Sequence, residues 1–166
     1  MKTFILMWNP AISSYKMEQF EYELSDLYDG YITDYNWSIY EFDKVNHGDR
    51  FYMVRCGHGH TGIVMSGKLV GEPYTDEDWS GRKRKVYYMD MEPDYFVHTE
   101  KVGSYLSTDF LMKELPGFDW TGGHAGRVLP DSLAEKLETQ WSSYTEELHK
   151  QGCIDGERAA YMDWDE

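Results

Sequence analysis

Four groups of residues in this chain are of types that could do chemistry. Trp8 and Trp37 carry flat indole faces on which a planar ligand can stack, and stacking of a base on an aromatic ring is worth about 1–3 kcal/mol. Both can equally be core, since tryptophan is usually highly buried. Arg82, Lys83, Arg84 and Lys85 are a quarter of the 16 Lys and Arg residues. They lie between Trp79 and Tyr87, and charge beside rings is what a single nucleic-acid strand needs; the plainer alternative is a strand edge protected from mispairing by its charge. Cys56, His58 and His60 alternate as C-x-H-x-H. A zinc site wants three or four ligands in fixed geometry, so His47 or His124 would have to join them, and exposed turn histidines are the simpler outcome. Trp120-Thr121-Gly122-Gly123-His124-Ala125-Gly126-Arg127 could be an anion nest of backbone N–H groups with Arg127 beside it, or a glycine turn set by backbone geometry.

Catalytic signatures are missing. The sequence contains no G-x-S-x-G, H-E-x-x-H, P-loop or zinc-deaminase pattern. Asp76, Glu77, Asp78, Asp90 and Glu92 could supply an acid and base pair, but at a formal net charge of −14 such clusters read as surface. Gly57, Gly59 and Gly62 satisfy the dinucleotide pattern G-x-G-x-x-G. That chemistry needs a helix N-terminus next, to hold a pyrophosphate, and the residues that follow, IVMSG, are strand-like. No metal or cofactor is expected.

The elements that must position these residues can be read in order. Lys2 to Trp8 alternates and stops at Asn9-Pro10, giving an opening strand. Met17, Phe20, Leu24 and Leu27 recur at helical spacing after a Ser13 or Ser14 cap. Tyr31 to Phe42 is aromatic and β-branched, with a short strand around Trp37, Ile39 and Tyr40. Gly48-Asp49 then opens a central hairpin, Phe51 to Cys56 and Thr61 to Val70, whose glycines mark bends of the kind that close a small barrel. Glu72 to Gly81 reads as a polar loop. A long strand follows from Val86, and Pro93 ends it or places it at an edge. Ser107 or Thr108 caps a short helix stopped by Pro116-Gly117, and the Ser132/Glu135 capping box starts a helix with Leu133, Leu137, Trp141, Tyr144 and Leu148 on one stripe.

With 166 residues and 41% hydrophobic content, the chain fits one domain over 1–150 with an acidic tail over 151–166. No apolar run approaches the length of a membrane span, and a cytoplasmic location is the default expectation. Cys56 and Cys153 form no disulfide framework. The acidity excludes a protein whose whole surface coats nucleic acid, though not a local basic site. Strands with a few helices and no βαβ alternation indicate α+β with a mixed or antiparallel curved sheet.

The order of a strand ending in Trp8, a second tryptophan in Tyr35-Asn36-Trp37, a strand opened by Gly48-Asp49, and Gly62-Ile63-Val64 leading to Glu72-Pro73-Tyr74 resembles the EVE-like branch of the PUA-like superfamily, related to ASCH and YTH domains. That resemblance spans roughly residues 2–145. It implies a pseudo-β-barrel with flanking helices, and a non-catalytic function in binding RNA, DNA or a nucleotide-like ligand, including a modified base, in an aromatic pocket. Trp8 and Trp37 would be its walls, Asn9 and Ser38 its polar neighbours, and Trp120, Gly122, Gly123 and His124 its closing loop. Arg82, Lys83, Arg84, Lys85 and Arg127 would meet phosphates. The segment after Trp37 departs from the family, reading Ser38-Ile39-Tyr40-Glu41 where glycine, arginine and asparagine are usual. The alternatives are a protein-interaction module and a carboxylate-based hydrolase or nuclease.

Overall fold

The computed structural model describes residues 1–28, 35–77, 85–102 and 106–150. In chain order these form β1 (Thr3–Trp8), α1 (Met17–Tyr28), β2 (Tyr35–Ser38), β3 (Arg50–Arg55), β4 (Gly62–Glu77), β5 (Lys85–Phe96), α2 (Thr99–Val102), α3 (Thr108–Glu114), β6 (Arg127–Leu129) and α4 (Asp131–Lys150). The strands make one six-stranded mixed sheet in the order β2-β5-β4-β3-β1-β6. Only β1 and β3 run parallel; the remaining neighbours are antiparallel. The fold is α+β.

Side chains along a strand alternate between faces, and the sheet uses both. Phe4, Leu6 and Trp8 of β1 join Phe51 and Met53 of β3 in one core, roofed by Phe20 and Leu24 of α1. Ile5, Tyr52 and Val54 face the opposite way, into a second core closed by Leu111 of α3, by Leu115 just past its end, and by Leu133, Leu137, Trp141 and Leu148 of α4. The apolar stripe spaced along the last helix is therefore what fastens it. Each such side chain contributes roughly 1.5–3 kcal/mol on burial. Ser107 caps α3 as its sequence suggests, accepting from the Phe110 amide at 3.1 Å.

The sheet does not close into a barrel. Its order ends at β2 on one side and β6 on the other, so the expected pseudo-barrel is corrected to an open mixed sheet. The two ends do meet at one corner. Tyr40 and Glu41, just after β2, donate to the carbonyls of Ala125 and Gly126, just before β6, at 2.8 and 3.0 Å. Gly126 makes this approach possible: its φ is +83°, and a Cβ there would lie 2.4 Å from Ile39 Cα.

One further expectation is corrected, and another, left open between two outcomes, is decided. Residues Glu72 to Glu77 are strand, not loop. After a register shift between Val70 and Tyr74, β4 resumes pairing with β5, because Gly71 at φ +80° absorbs the irregularity as bulges do. Pro93 does not end β5. It sits beside another shift, between Ser66 and Gly67, and past the last β2 partner at Met91, where a missing N–H is tolerated. Gly57 and Gly59 turn the chain and Gly62 opens β4, a strand, so the G-x-G-x-x-G pattern lacks the helix it would need. No described helix is long and apolar enough to cross a membrane.

Candidate ligand-binding cleft

Above the corner where β2 approaches β6 lies a cleft of about 680 Å³. Five stretches build most of it: the loop Asn9 to Tyr15 after β1, Gln19 and Glu23 of α1, β2 with its continuation to Phe42, the start of β5, and residues Gly123 to Ala125, with Met7 and Cys56 beside them. The lining is rich in rings. Tyr40 stacks on His124 with centroids 4.0 Å apart and planes 3° apart, and Phe42 stacks on Tyr87 at 3.6 Å and 10°. Trp37 meets Tyr15 edge-on at 5.5 Å, and Tyr15 stacks on Tyr35 at 5.4 Å. The edge-on contact of Trp37 with Tyr15 and the close stacking of the other pairs orient these rings against one another.

The expected site residues separate into four groups. Trp37, Ser38, Asn9, Gly123, His124 and Lys85 all line the cleft. Trp37 is half-buried and donates Nε1–H to the Met7 carbonyl at 3.3 Å; the Asn9 carboxamide oxygen accepts from the Ala11 amide. Trp8 and Trp120 are core instead. Trp8 is 1% exposed, packed between Tyr15 and Phe20, and its N–H is spent on the Tyr15 carbonyl at 2.7 Å. Trp120 is fully buried in the second core and donates to the Leu115 carbonyl at 2.9 Å. Neither indole has a face to offer a ligand, so of the two tryptophans expected as walls only Trp37 lines the cleft. Arg82, Lys83 and Arg84 lie outside the described residues, as does the tail 151–166.

Arg127 is also reassigned. Its guanidinium donates to the carbonyls of His124, Asp119 and Gly122 at 2.8, 2.9 and 2.7 Å and lies 4.4 Å from the centre of the Phe118 ring. The loop 119–124 therefore wraps a cation with its carbonyl groups, the inverse of an anion nest. Arg127 holds the loop that carries His124, and Gly122 contributes one of those carbonyls.

Cys56 lines the cleft, and burial pushes its thiol pKa up. His58 and His60 are exposed; the carbonyl of His58 takes a bond from Arg55, and the His60 ring lies 3.7 Å from Glu100. Among the described residues no group of three or more His, Cys, Asp or Glu converges as metal ligands do.

Cleft residues that sequence reasoning missed include Tyr15, Glu23, Tyr35, Tyr40 and Phe42. For the last three the signal was the aromatic density of YNWSIYEF, which identifies a strand but not the direction in which its rings open. Glu23 stands out chemically. Tyr15 Oη donates to Glu23 Oε2 at 3.1 Å. Burial pushes the Glu23 carboxyl up to about 7, against the opposing hydrogen bonds of Tyr15 and Tyr35 and with a small push from Asp26. Burial first, and the neighbouring acid second, also raise the Tyr15 phenol; Tyr35 is raised by burial, then by Tyr15 and Glu23.

This has a testable consequence for stability. The folded chain holds the Glu23 proton up to about pH 7, whereas the unfolded chain releases it near the ordinary value of 4.5. The group's contribution to stability is thus full below about 4.5 and is lost as pH rises through 7. Glu23→Gln cannot ionise. Its melting temperature should match the native protein's below about pH 4.5, exceed it increasingly up to about pH 7, and keep that margin above; a difference independent of pH would contradict the assignment.

No family model matches the chain, and no curated protein matches it. Solved structures with some likeness include Rpa0253 from Rhodopseudomonas palustris, determined by NMR, with 16% identity and a TM-score of 0.41 over 66% of this chain and 71% of that one, and PSPTO5229 from Pseudomonas syringae, a crystal structure, with 16% identity and a TM-score of 0.45 over 72% of this chain and 88% of that one.

Proposed function

We propose that this chain is a non-catalytic binding module that holds a base or nucleotide-like ring of a nucleic acid or a related small molecule in the aromatic cleft. One observation carries this reading: a cleft of about 680 Å³, within the range of small-molecule sites, whose walls combine Trp37, Tyr40, Phe42, Tyr87 and His124 with the polar side chains of Asn9 and Ser38. Rings supply stacking area that every base can use, and a few polar groups orient what stacks. A PUA-like ancestry, with an opened pseudo-barrel, is part of the same proposal.

Lys85 begins β5 at one side of the cleft, exposed, and Arg82, Lys83 and Arg84 immediately precede it in sequence. A strand whose base enters the cleft would run its phosphates past this end. A fluorescently labelled single-stranded oligonucleotide, titrated at several salt concentrations, tests this. Binding should occur, and log affinity should fall against log salt with a slope of roughly −3 if all four cations engage. Affinity that ignores salt would remove the phosphate contacts from the proposal, and absence of binding by oligonucleotides and adenosine monophosphate alike would remove the whole of it.

A further inference from the structure

We infer that the end of the cleft where Glu23 meets Tyr15 and Tyr35 is a subsite for a planar organic cation, a heteroaromatic ring carrying delocalised positive charge. This rests on the cleft being a ligand site and adds the charge that one end of it selects.

The lining contains only two formally charged side chains among the described residues, Glu23 and Lys85, and they are far apart. Tyr35 lies opposite Met91 in the β2–β5 ladder, and Lys85 is six positions along β5 from Met91, about 20 Å of extended backbone. The cleft is therefore electrically polar along its length. At the acidic end, Glu23 is half-buried, with Tyr15 Oη 3.1 Å from Oε2. A carboxylate has about four lone-pair sites, so the two phenols of Tyr15 and Tyr35 leave it able to accept from a ligand.

Around this acid the walls are rings: Tyr15 stacked on Tyr35, with Trp37 edge-on to Tyr15. Tyr15 is core, covered by Trp8 and Tyr35, so among these rings the half-buried Trp37 is the one that can lend its negative face to a cation, an attraction strongest where water is excluded. An isolated carboxylate in such a place is costly unless a positive charge joins it. The rest of the molecule favours the same sign, because a formal net charge of −14 concentrates cations near its surface.

The titratable groups bearing on Glu23 are Tyr15 from the loop before α1, Tyr35 from β2 and Asp26 from α1 itself. Lys85 on β5, His124 before β6 and Cys56 after β3 complete the ionisable lining. Since burial holds the Glu23 carboxyl near 7, a cation should bind better to the deprotonated form, above that pH, and should expel a proton on binding below it.

The test uses calorimetric titration with 1-methylnicotinamide, a fixed heteroaromatic cation, and nicotinamide, its neutral parent, on the whole chain at pH 8 and pH 6. At pH 8 the cation should bind about tenfold more tightly than the neutral ring, and the ratio should shrink at pH 6. Glu23→Gln, which keeps shape but not charge, should bring the ratio near one at both pH values, and Glu23→Asp should restore part of it at pH 8. A ratio near one in the native protein, a preference that survives Glu23→Gln, or no binding of either probe overturns the subsite. If adenosine monophosphate still binds in that event, the cleft stands and only its cation preference falls; if it does not, both fall together.

Discussion

Replacing Trp8 by alanine should cost about 3–5 kcal/mol of folding stability, a large share of the 5–15 kcal/mol typical of a domain. The ring is 1% exposed and lies 5.2 Å from Phe20 and 5.3 Å from Tyr15, so its removal leaves a cavity between β1 and α1. It also leaves the Tyr15 carbonyl without the N–H it accepts at 2.7 Å, and an orphaned buried acceptor costs a further 1–3 kcal/mol or so. Trp8→Phe should fall between, keeping most of the packing and losing the hydrogen bond. Urea denaturation measures both. A Trp8→Ala protein that unfolds within about 1 kcal/mol of the native one would show that the ring is not the wedge described here.

The second large effect is expected at Gly126. Its Cα sits where the two ends of the sheet touch, with φ at +83°, Ile39 Cα 2.4 Å and Tyr40 N 2.8 Å from where a Cβ would stand. Both are backbone atoms, so no side chain can swing aside. Left-handed backbone costs a non-glycine residue roughly 1–3 kcal/mol, and forced overpacking adds about 1–3 kcal/mol. Gly126→Ala should therefore lower the melting temperature by roughly 5–20 °C and break the Tyr40-to-Ala125 and Glu41-to-Gly126 hydrogen bonds. Amide exchange at Tyr40 and Glu41 should accelerate. Gly71 is the control: at φ +80°, with nothing within 4 Å of its missing Cβ, Gly71→Ala carries the backbone strain alone and should cost much less. Equal losses at the two sites would mean that the corner contact matters little.

Much of the fold is legible in local sequence because the helices rest on local signals. Ser107 caps α3, and the stripe Leu133, Leu137, Trp141 and Leu148 is buried as its spacing requires. The α1 stripe likewise buries Phe20 and Leu24. What escaped is non-local. The parallel pairing of β1 with β3 joins segments some forty residues apart, and no pattern in either strand announces a partner. The extension of β4 through Glu77 depends on a bulge at Gly71, and glycine and proline there look like punctuation until Tyr74 is seen opposite Tyr88.

The same distinction governs the site. Residue type suggested two tryptophans; burial decided between them. Trp8 and Trp37 both sit on strands with aromatic neighbours. Trp8 lies under α1, whereas Trp37, on the edge strand β2, has one side against Tyr15 and another on the cleft. Glu23 was hidden for a related reason. On a helix already rich in acids, only the approach of Tyr15 and Tyr35 separates it from its solvated neighbours.

The central claim, that this cleft holds a flat ring against Trp37, is tested most directly by titrating the native protein and Trp37→Ala with adenosine monophosphate and with a short single-stranded oligonucleotide under the same conditions. Half-buried and at the sheet edge, Trp37 can be removed with the cooperative unfolding transition retained, so lost binding will not be lost folding. The variant should bind roughly 5- to 150-fold more weakly, the equivalent of one stacked ring. Equal affinity for the two proteins would contradict the account.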